Sequence, residues 1–390
     1  MKYTNTIFNQ LLAFLPKSQF QQFVGQHKGD RYVKKLDTWN QLNLLLYAQA
    51  TGKESLREIE TGLRMHQHKW YHLGVKTVAR STLSEALSRR DYQIYEKLFY
   101  SLLQKCRDLS GERNFTFKNQ LYSLDASTIQ LCLSLFDWAK YRTTKGALKL
   151  HTLLDNRTGI PECLLITDGK TGDITAAKSM SLNLEKDSII VFDRAYIDYA
   201  WWQKLNDQGL FFVSRAKKNT NTFVLGQHNY PLEKGVLADE KIIFGDYNEL
   251  INERYTAPLR RLRFWDDDTK KEYIFLTNNM VLSARTIADI YKDRWQIELF
   301  FKWIKQNLKI KTFLGTSKNA VMSQIWVAMI YYLLLAYIKS QTRFRGSLLE
   351  LTRMLRETLM FRQNLIDLLS LNLVSLSKIQ KFEEPQLAFF

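Results

Sequence analysis

Cysteine is scarce in this chain: three residues in 390, Cys106, Cys132 and Cys163, widely spaced and odd in number. That excludes a disulfide framework and a C-x-x-C metal site, and it fits a reducing cytosol. Histidine is nearly as rare. His66, His68 and His72 fall together, but no carboxylate or cysteine stands at ligand spacing, so they read as a solvated loop. No small-residue cleavage site follows the helically spaced Phe8, Leu11, Leu12 and Leu15, and no signal peptide is read. Internal repeats and low-complexity tracts are missing. The apolar run Val321 to Ile338 is long enough to span a membrane, but it contains Ser323 and Gln324 and reads as a buried core helix.

Acidic residues also fall short, 39 against 56 basic ones, which leaves a formal charge of +17. Such an excess fits a nucleic-acid partner, and by charge alone would fit a membrane surface. Residues 1–120 hold 19 basic and 10 acidic side chains, so about half of the excess lies outside that segment. At 390 residues and 45% hydrophobic content, the chain can bury a large core in two or three domains.

Residues 1–118 carry helical patterns, with Gly52, Gly62 and Gly74 as stops and Thr82-x-x-Glu85 as a possible capping box. The helical pair 54–64 and 82–90 could read DNA through Arg80, Arg89 and Arg90, although its connection is too long for a standard helix-turn-helix. A purely structural bundle is the alternative. From residue 119 strands take over. Asp125 lies in the β-prone run LYSLDASTIQLCLSL, and a tight turn at Asn156-Arg157-Thr158-Gly159 joins two strands. SIIVF is a short apolar run, typical of a buried central strand, and ends at Asp193. Residues 217–283 read as a β-rich insertion, with turn signals near Gly226, Asn229-Tyr230-Pro231 and Asp266-Asp267-Asp268. Helices return after it, and the last residues, from about 380, read as frayed.

The stretch Tyr291 to Lys305 has neither Gly nor Pro and reads as one helix. At 100° per residue, Tyr291, Arg294, Lys302 and Lys305 fall within roughly 40° of Glu298. Ile290, Ile297, Phe300, Trp303 and Ile304 form the opposite, core-facing stripe. A solvated face with i,i+4 pairs such as Arg294–Glu298 would give the same row. The order strand, hairpin strands, strand, helix, strand, insertion, helix is that of an RNase H-like core, a mixed α/β (α+β) fold. Asp125, Asp193 and Glu298 occupy the three places where such a core gathers carboxylates. Taken singly, Asp125 could cap a turn with Ser127 or Thr128, and Asp193 could begin one before Tyr196. Together they suit phosphodiester chemistry. Two Mg²⁺ ions about 3.5–4 Å apart can activate a nucleophile and stabilise a leaving oxygen, and Mg²⁺ takes hard oxygen ligands.

Tyr291-x-x-Arg294-x-x-x-Glu298-x-x-x-x-x-x-Lys305 resembles the Y-R-E-K signature of the IS-four family of bacterial insertion-sequence transposases, of DDE type. VFDRAYID resembles the family's D-R-G-Y block, with Ala195 where Gly is usual, and LDASTI its first-Asp block. An Ala there demands ordinary backbone dihedrals or accepts strain. The resemblance spans nearly the whole chain. It implies an all-helical DNA-binding domain over 1–118, a catalytic core over 119–216 and 284–345 split by the insertion 217–283, and a helical tail over 346–390.

It also implies roles. Asp125, Asp193 and Glu298 would bind two Mg²⁺ ions, with Mn²⁺ able to substitute. Tyr291, Arg294 and Lys305 would contact DNA phosphates, and the helical projection adds Lys302. In relatives an aromatic on the insertion stacks on a flipped base, for which Tyr273 is the matching residue and Trp265 the alternative; either could instead be a core aromatic. Lys149 and His151, two apart on a strand, would support the active site. The implied function is cleavage of double-stranded transposon ends and joining of their 3′-hydroxyls to target DNA, as a homodimer or higher multimer, in the bacterial cytoplasm at the nucleoid and without a membrane. The competing reading is a domesticated DNA-binding protein that no longer cuts.

Overall fold

A computed structural model of the chain describes residues 5–70, 78–107, 115–132, 134–142, 145–217, 220–228, 233–244, 255–310 and 312–370. His72, Gly74, the turn expected at Asn229-Tyr230-Pro231 and the frayed end from about residue 380 lie outside the described residues. The chain divides into two compact units, Met1–Leu109 with Asn307–Phe390, and Ser110–Gln306.

The first unit is helical. It contains α1 (Ile7–Leu12), α2 (Lys17–Gln26), α3 (Thr38–Thr51), α4 (Leu56–Met65), α5 (Gln67–Trp70), α6 (Arg80–Arg89) and α7 (Gln93–Cys106). Short polar side chains start several of them: Thr6, Asp37 and Ser55 each accept from the backbone N–H three residues on. The expected capping box at Thr82 is not formed. Helix α6 begins two residues earlier, after Ala79, with no side-chain cap.

The second unit opens with β1 (Leu121–Leu131), β2 (Lys140–Arg142), β3 (Lys145–Asp155) and β4 (Pro161–Asp168), then α8 (Asp173–Ser179) and β5 (Ile189–Phe192). Helix α9 (Tyr199–Asp207) and β6 (Phe211–Arg215) follow, then β7 (Thr222–Gln227), β8 (Val236–Phe244), β9 (Leu259–Asp266) and β10 (Lys271–Thr277). Helices α10 (Ala284–Asp293) and α11 (Trp295–Asn307) close it. The chain returns to the first unit with α12 (Lys318–Gln341), α13 (Leu348–Thr358) and α14 (Leu365–Ser370).

Helix α12 is apolar on every side, which a helix tolerates only when it is buried all round. It packs against α3, α6, α7 and α13, and Trp326, Met329, Ile330 and Leu333 are at most 1% exposed. By length and composition it could cross a membrane, yet 89% of its most apolar window is buried within the protein. This packing differs from the expected grouping of 284–345 with the catalytic core. Its physical cause is that the apolar surface α12 covers belongs to the helices at the start of the chain and to α13.

In the second unit the described strands form one ten-stranded sheet. Its first part runs β4-β3-β1-β5-β6, with β3 antiparallel to β1 and with β1, β5 and β6 mutually parallel. That is the RNase H-like arrangement the element order implies. The β-rich insertion continues the same sheet: β10 pairs antiparallel with β6, and β9, β8 and β7 follow in turn. Alternation along the parallel strands separates two cores. Leu124, Ile190, Phe192 and Phe212 point to one with α9. Leu121, Ile189, Val191, Val213 and Phe275 point to the other, under α10.

Candidate active site

Register brings the first two carboxylates together. The parallel pairing of β1 with β5 ends at Leu124↔Phe192, so Asp125 and Asp193 are the next residues on neighbouring strands. Adjacent strands lie about 4.8 Å apart, and one step from a shared pair puts both side chains on the same face. It is the face of Ile189 and Val191, covered by α10. The site therefore lies at the carboxyl end of β5, where open α/β sheets bind ligands.

Asp193 caps a short turn, its Oδ1 accepting from the Ala195 N–H at 2.8 Å. Ala195 is not among the described residues with positive φ, so its presence in place of Gly brings no backbone strain of that kind. Asp125 stands mid-strand opposite Thr152, with Oδ1 accepting from the Ala126 N–H at 2.8 Å.

The third carboxylate comes from α11. Helix α10 ends at Asp293 and α11 begins at Trp295, so the stretch expected as one helix tightens at Arg294, where i→i+3 bonds replace the usual pattern. Arg294 bridges the site. Its Nη1 donates to Asp125 Oδ2 at 3.2 Å and its Nη2 to Glu298 Oε1 at 2.5 Å. The guanidinium also lies 5.8 Å from the centre of the Tyr291 ring, which packs against Phe275 at 4.8 Å.

Burial pushes the Asp125 carboxyl up to about 6. The Ala126 N–H and the Arg294 guanidinium oppose the rise, and the charges of Asp193 and Glu298 add to it. Because this value lies above the unfolded one, the native state holds the extra proton between about pH 4 and 6. Stability is then fully present below about pH 4 and is lost as pH rises through 6, by at most about 3 kcal/mol. We predict that Asp125→Asn removes this pH dependence. Urea unfolding in EDTA at pH 4 to 7 checks it, and parallel curves for the variant and wild type would refute it.

A hard divalent cation fits the chemistry of this donor set, since three carboxylates offer oxygen ligands and two of them raise the third. The spacing is another matter. Among the described residues no three His, Cys, Asp or Glu side chains stand as a ready metal group, and Arg294 is the cation between Asp125 and Glu298. Arg294 holds one oxygen of each, Asp125 Oδ2 and Glu298 Oε1, and makes no hydrogen bond or ion pair with Asp193 among the described residues.

The remaining expected residues fall into three sets. Lys302 is exposed on α11 and Lys305 half-buried. Tyr273 stacks parallel to Phe275 at 6.1 Å, on the face that carries Tyr291. Trp265 pairs with Glu272, one step out of phase, and so lies on the opposite face. Lys149 and His151 are also on the opposite face from Asp125, because they pair with Thr128 and Ala126. Lys149 Nζ donates to Asp173 Oδ1 at 3.0 Å, and His151 Nε2 shares a hydrogen bond with Thr167 Oγ1 at 2.9 Å. Burial pushes the His151 imidazole down to about 4, leaving it neutral at pH 7. The pair braces the start of α8, across the sheet from the carboxylates.

In the helical unit Arg80 and Arg89 are exposed, whereas Arg90 is 6% exposed and donates to Gly29 O, Leu36 O and Gln41 Oε1. The expectation that Arg90 contacts DNA is corrected: the chain leaves α6 extended at Arg90, which turns its side chain into the protein.

One further residue joins the site without having been expected there. Arg215, one step past the Phe192↔Ser214 pair, lies beside Asp193 in register, and its guanidinium stands 4.8 Å from the Tyr273 ring centre. Tyr196, 1% exposed, belongs to the core on the other face, with Phe192, Trp201 and Trp202; its buried hydroxyl has no hydrogen-bond partner among the described residues, and burial and the charges of Asp125, Asp173 and Asp193 push it up. Arg215 has no local signal in the sequence.

Residues 116–334 match the family model described as Transposase DDE domain. The chain belongs to this family of DDE transposases. Residues 3–76 match a separate model, Domain of unknown function (DUF4372). A putative transposase, y4zB, of Sinorhizobium fredii is 32% identical over 289 residues, covering 73% of this chain and 78% of the relative. A probable transposase for insertion sequence element IS5377 of Geobacillus stearothermophilus is 26% identical, covering 72% and 74%. A putative transposase for insertion sequence element IS4SA of a Synechocystis strain is 27% identical, covering 72% and 77%. Among solved structures, a piggyBac transposase synaptic complex with hairpin DNA has a TM-score of 0.44 at 10% identity, covering 98% of this chain and 81% of that one. The DDE domain match contains Asp125, Asp193, Glu298 and the whole sheet.

Proposed function

We propose that this DDE transposase mobilises an insertion sequence: it binds the element's inverted repeats as duplex DNA, pairs them as a multimer, cuts them and joins their 3′-hydroxyls to a target, by cut-and-paste. The observation that best supports this is the row of Asp125 and Asp193 on one sheet face with Glu298 tied to Asp125 through Arg294. Asp125, Asp193 and Glu298 would hold two Mg²⁺ ions. Held there, such ions would supply Lewis-acid activation of water or a 3′-hydroxyl and charge stabilisation of the leaving oxygen, and one site would serve both steps because each is an in-line attack on phosphorus.

The other side chains position the strand. Arg294 exchanges a carboxylate for a phosphate oxygen, a charge-assisted bond with bidentate geometry. Tyr291, wedged against Phe275, keeps that guanidinium in place. Lys305, Lys302 and Arg215 neutralise neighbouring phosphates and hold register. Tyr273, on the same face, offers a ring for a base unstacked from the end, and Arg215 already covers part of that ring. Stacking of this kind is worth roughly 1–3 kcal/mol per base. We predict that Tyr273→Ala slows end opening by roughly ten- to a hundredfold, while Trp265→Ala leaves it within about twofold. Equal effects of the two substitutions would remove the assignment.

The test of the proposal uses a duplex with a pre-cut 3′-hydroxyl end taken from the DNA flanking the gene, mixed with a supercoiled plasmid and Mg²⁺. Joined products support the transposase reading. Specific binding without joining would favour a DNA-binding protein that no longer cuts, in which Arg294 permanently neutralises the carboxylates.

A further inference from the structure

The helical unit carries a second charged site, distant in sequence from the carboxylates. Between α2 and α3 the loop over residues 27–36 forms one wall of a groove of about 570 Å³, and α6 forms the other. The loop is held firmly at its base. Asp30 Oδ1 accepts from both the N–H and the hydroxyl of Thr38 at 2.7 Å. His27 Nδ1 bonds Asp91 Oδ2 at 2.7 Å, and Arg90 donates to the carbonyls of Gly29 and Leu36. These bonds engage Asp30, Asp91 and the buried arginine, while Asp37, the exposed acid at the loop's end, caps α3 by accepting from the Asn40 N–H and side-chain amide.

What the loop leaves outside is basic. Lys28, Arg31, Tyr32, Lys34 and Lys35 are all exposed, and Tyr32 is 85% exposed. Arg31 folds over the Tyr32 ring at 4.9 Å, while Lys28, Lys34 and Lys35 have no ion pair among the described residues. Across the groove Glu85 is paired with Arg89 at 2.8 Å, so it does not offset the lysines. Lys28 and Tyr32 sit at φ 51° and 61°, a region that side chains such as these seldom enter. Such conformations persist only when surrounding structure over-determines them, and they gather at ligand clamps. A pinned loop that presents unpaired like charges at a concave edge is repelled by itself and satisfied by a polyanion.

We infer that this groove grips the phosphate backbone of duplex DNA, through Lys28, Arg31, Lys34 and Lys35. The inference rests on the reading of the chain as a DNA-acting transposase, and it moves the contact from the α4–α6 pair to the loop before α3. Contacts of this kind position a duplex and carry no sequence information, so they act alike on the element's end and on unrelated DNA.

The test compares the full chain with the variant Arg31→Ala/Lys34→Ala/Lys35→Ala, whose positions are exposed and leave the fold intact by circular dichroism. Binding to an end duplex and to a scrambled duplex is measured from 50 to 300 mM salt. The expected result is a loss of at least tenfold on both duplexes near 150 mM salt. The slope of log K against log salt should flatten by about 0.9 per lost phosphate contact, close to three units in all. Unchanged affinity and slope in a variant whose wild type binds DNA would overturn the groove assignment alone. So would a variant whose only change is in self-association by sedimentation, which would make the groove a contact between copies. A wild type that binds neither duplex would overturn the DNA-acting reading itself.

Discussion

Glu298→Gln abolishes joining of pre-cut ends, with a fall of at least about a thousandfold, or roughly 4 kcal/mol of transition-state stabilisation. The substitution keeps the side chain's shape and its place in the first turn of α11, so packing of Ile297, Phe301 and Ile304 is untouched. It removes one of the negative charges on which the proposed cation site depends, and Arg294 is left with a neutral oxygen on that side. DNA affinity should stay within a few fold, because the charge removed is anionic. Rates from single-turnover joining and affinities from the same preparations separate the two effects. A variant that joins ends at a tenth of the wild-type rate or better would take Glu298 out of the reaction centre.

A comparable effect on stability is expected far from the carboxylates. Arg260 and Asp239 are fully buried, with Nε to Oδ1 at 2.8 Å and Nη2 to Oδ2 at 2.7 Å, and Arg260 Nη1 donates to the Leu282 carbonyl at 2.5 Å. The pair ties β8 to β9 and to the turn before α10, the helix that leads to Arg294. Arg260→Ala strands a carboxylate in the interior and should destabilise the chain by about 3–5 kcal/mol. Replacing both partners at once, as in Arg260→Met with Asp239→Leu, removes the uncompensated charge and should recover most of that loss. Urea midpoints of the single and double variants decide it. A single variant within about 1 kcal/mol of wild type would mean that water reaches Asp239, contrary to its burial.

These two sites differ in how far the sequence discloses them. Asp193 is legible because it closes an apolar strand, Asp125 because it follows the apolar start of one, and Glu298 because a helix repeats every 3.6 residues. Arg215 is not, because its place beside Asp193 depends on β6 pairing with both β5 and β10, and pairing across dozens of residues leaves no local mark. Arg90 misleads for the opposite reason. It belongs to an exposed basic helix end in sequence, and only the extended backbone at that residue turns it inward. Lys149 and His151 share a strand face, as their spacing implies, but whether Asp125 shares it too depends on the register of β1 against β3. Of the polar row on Tyr291–Lys305, Tyr291, Arg294 and Glu298 stay together across the tightening at Arg294. The groove before α3 is invisible as a site in sequence: its lysines look like an ordinary solvated charge run until Asp30, Asp37 and Asp91 are seen to be engaged elsewhere.

The measurement that bears most directly on the carboxylate centre is metal-dependent nicking of an intact, end-labelled duplex carrying the element's own terminus. Wild-type protein would be assayed with Mg²⁺, with Mn²⁺ and with EDTA. A carboxylate centre of the proposed kind predicts a cut at the terminus that leaves a 3′-hydroxyl, in either metal and not in EDTA. Cutting that persists in EDTA, or that ignores the terminus in both metals, would contradict it.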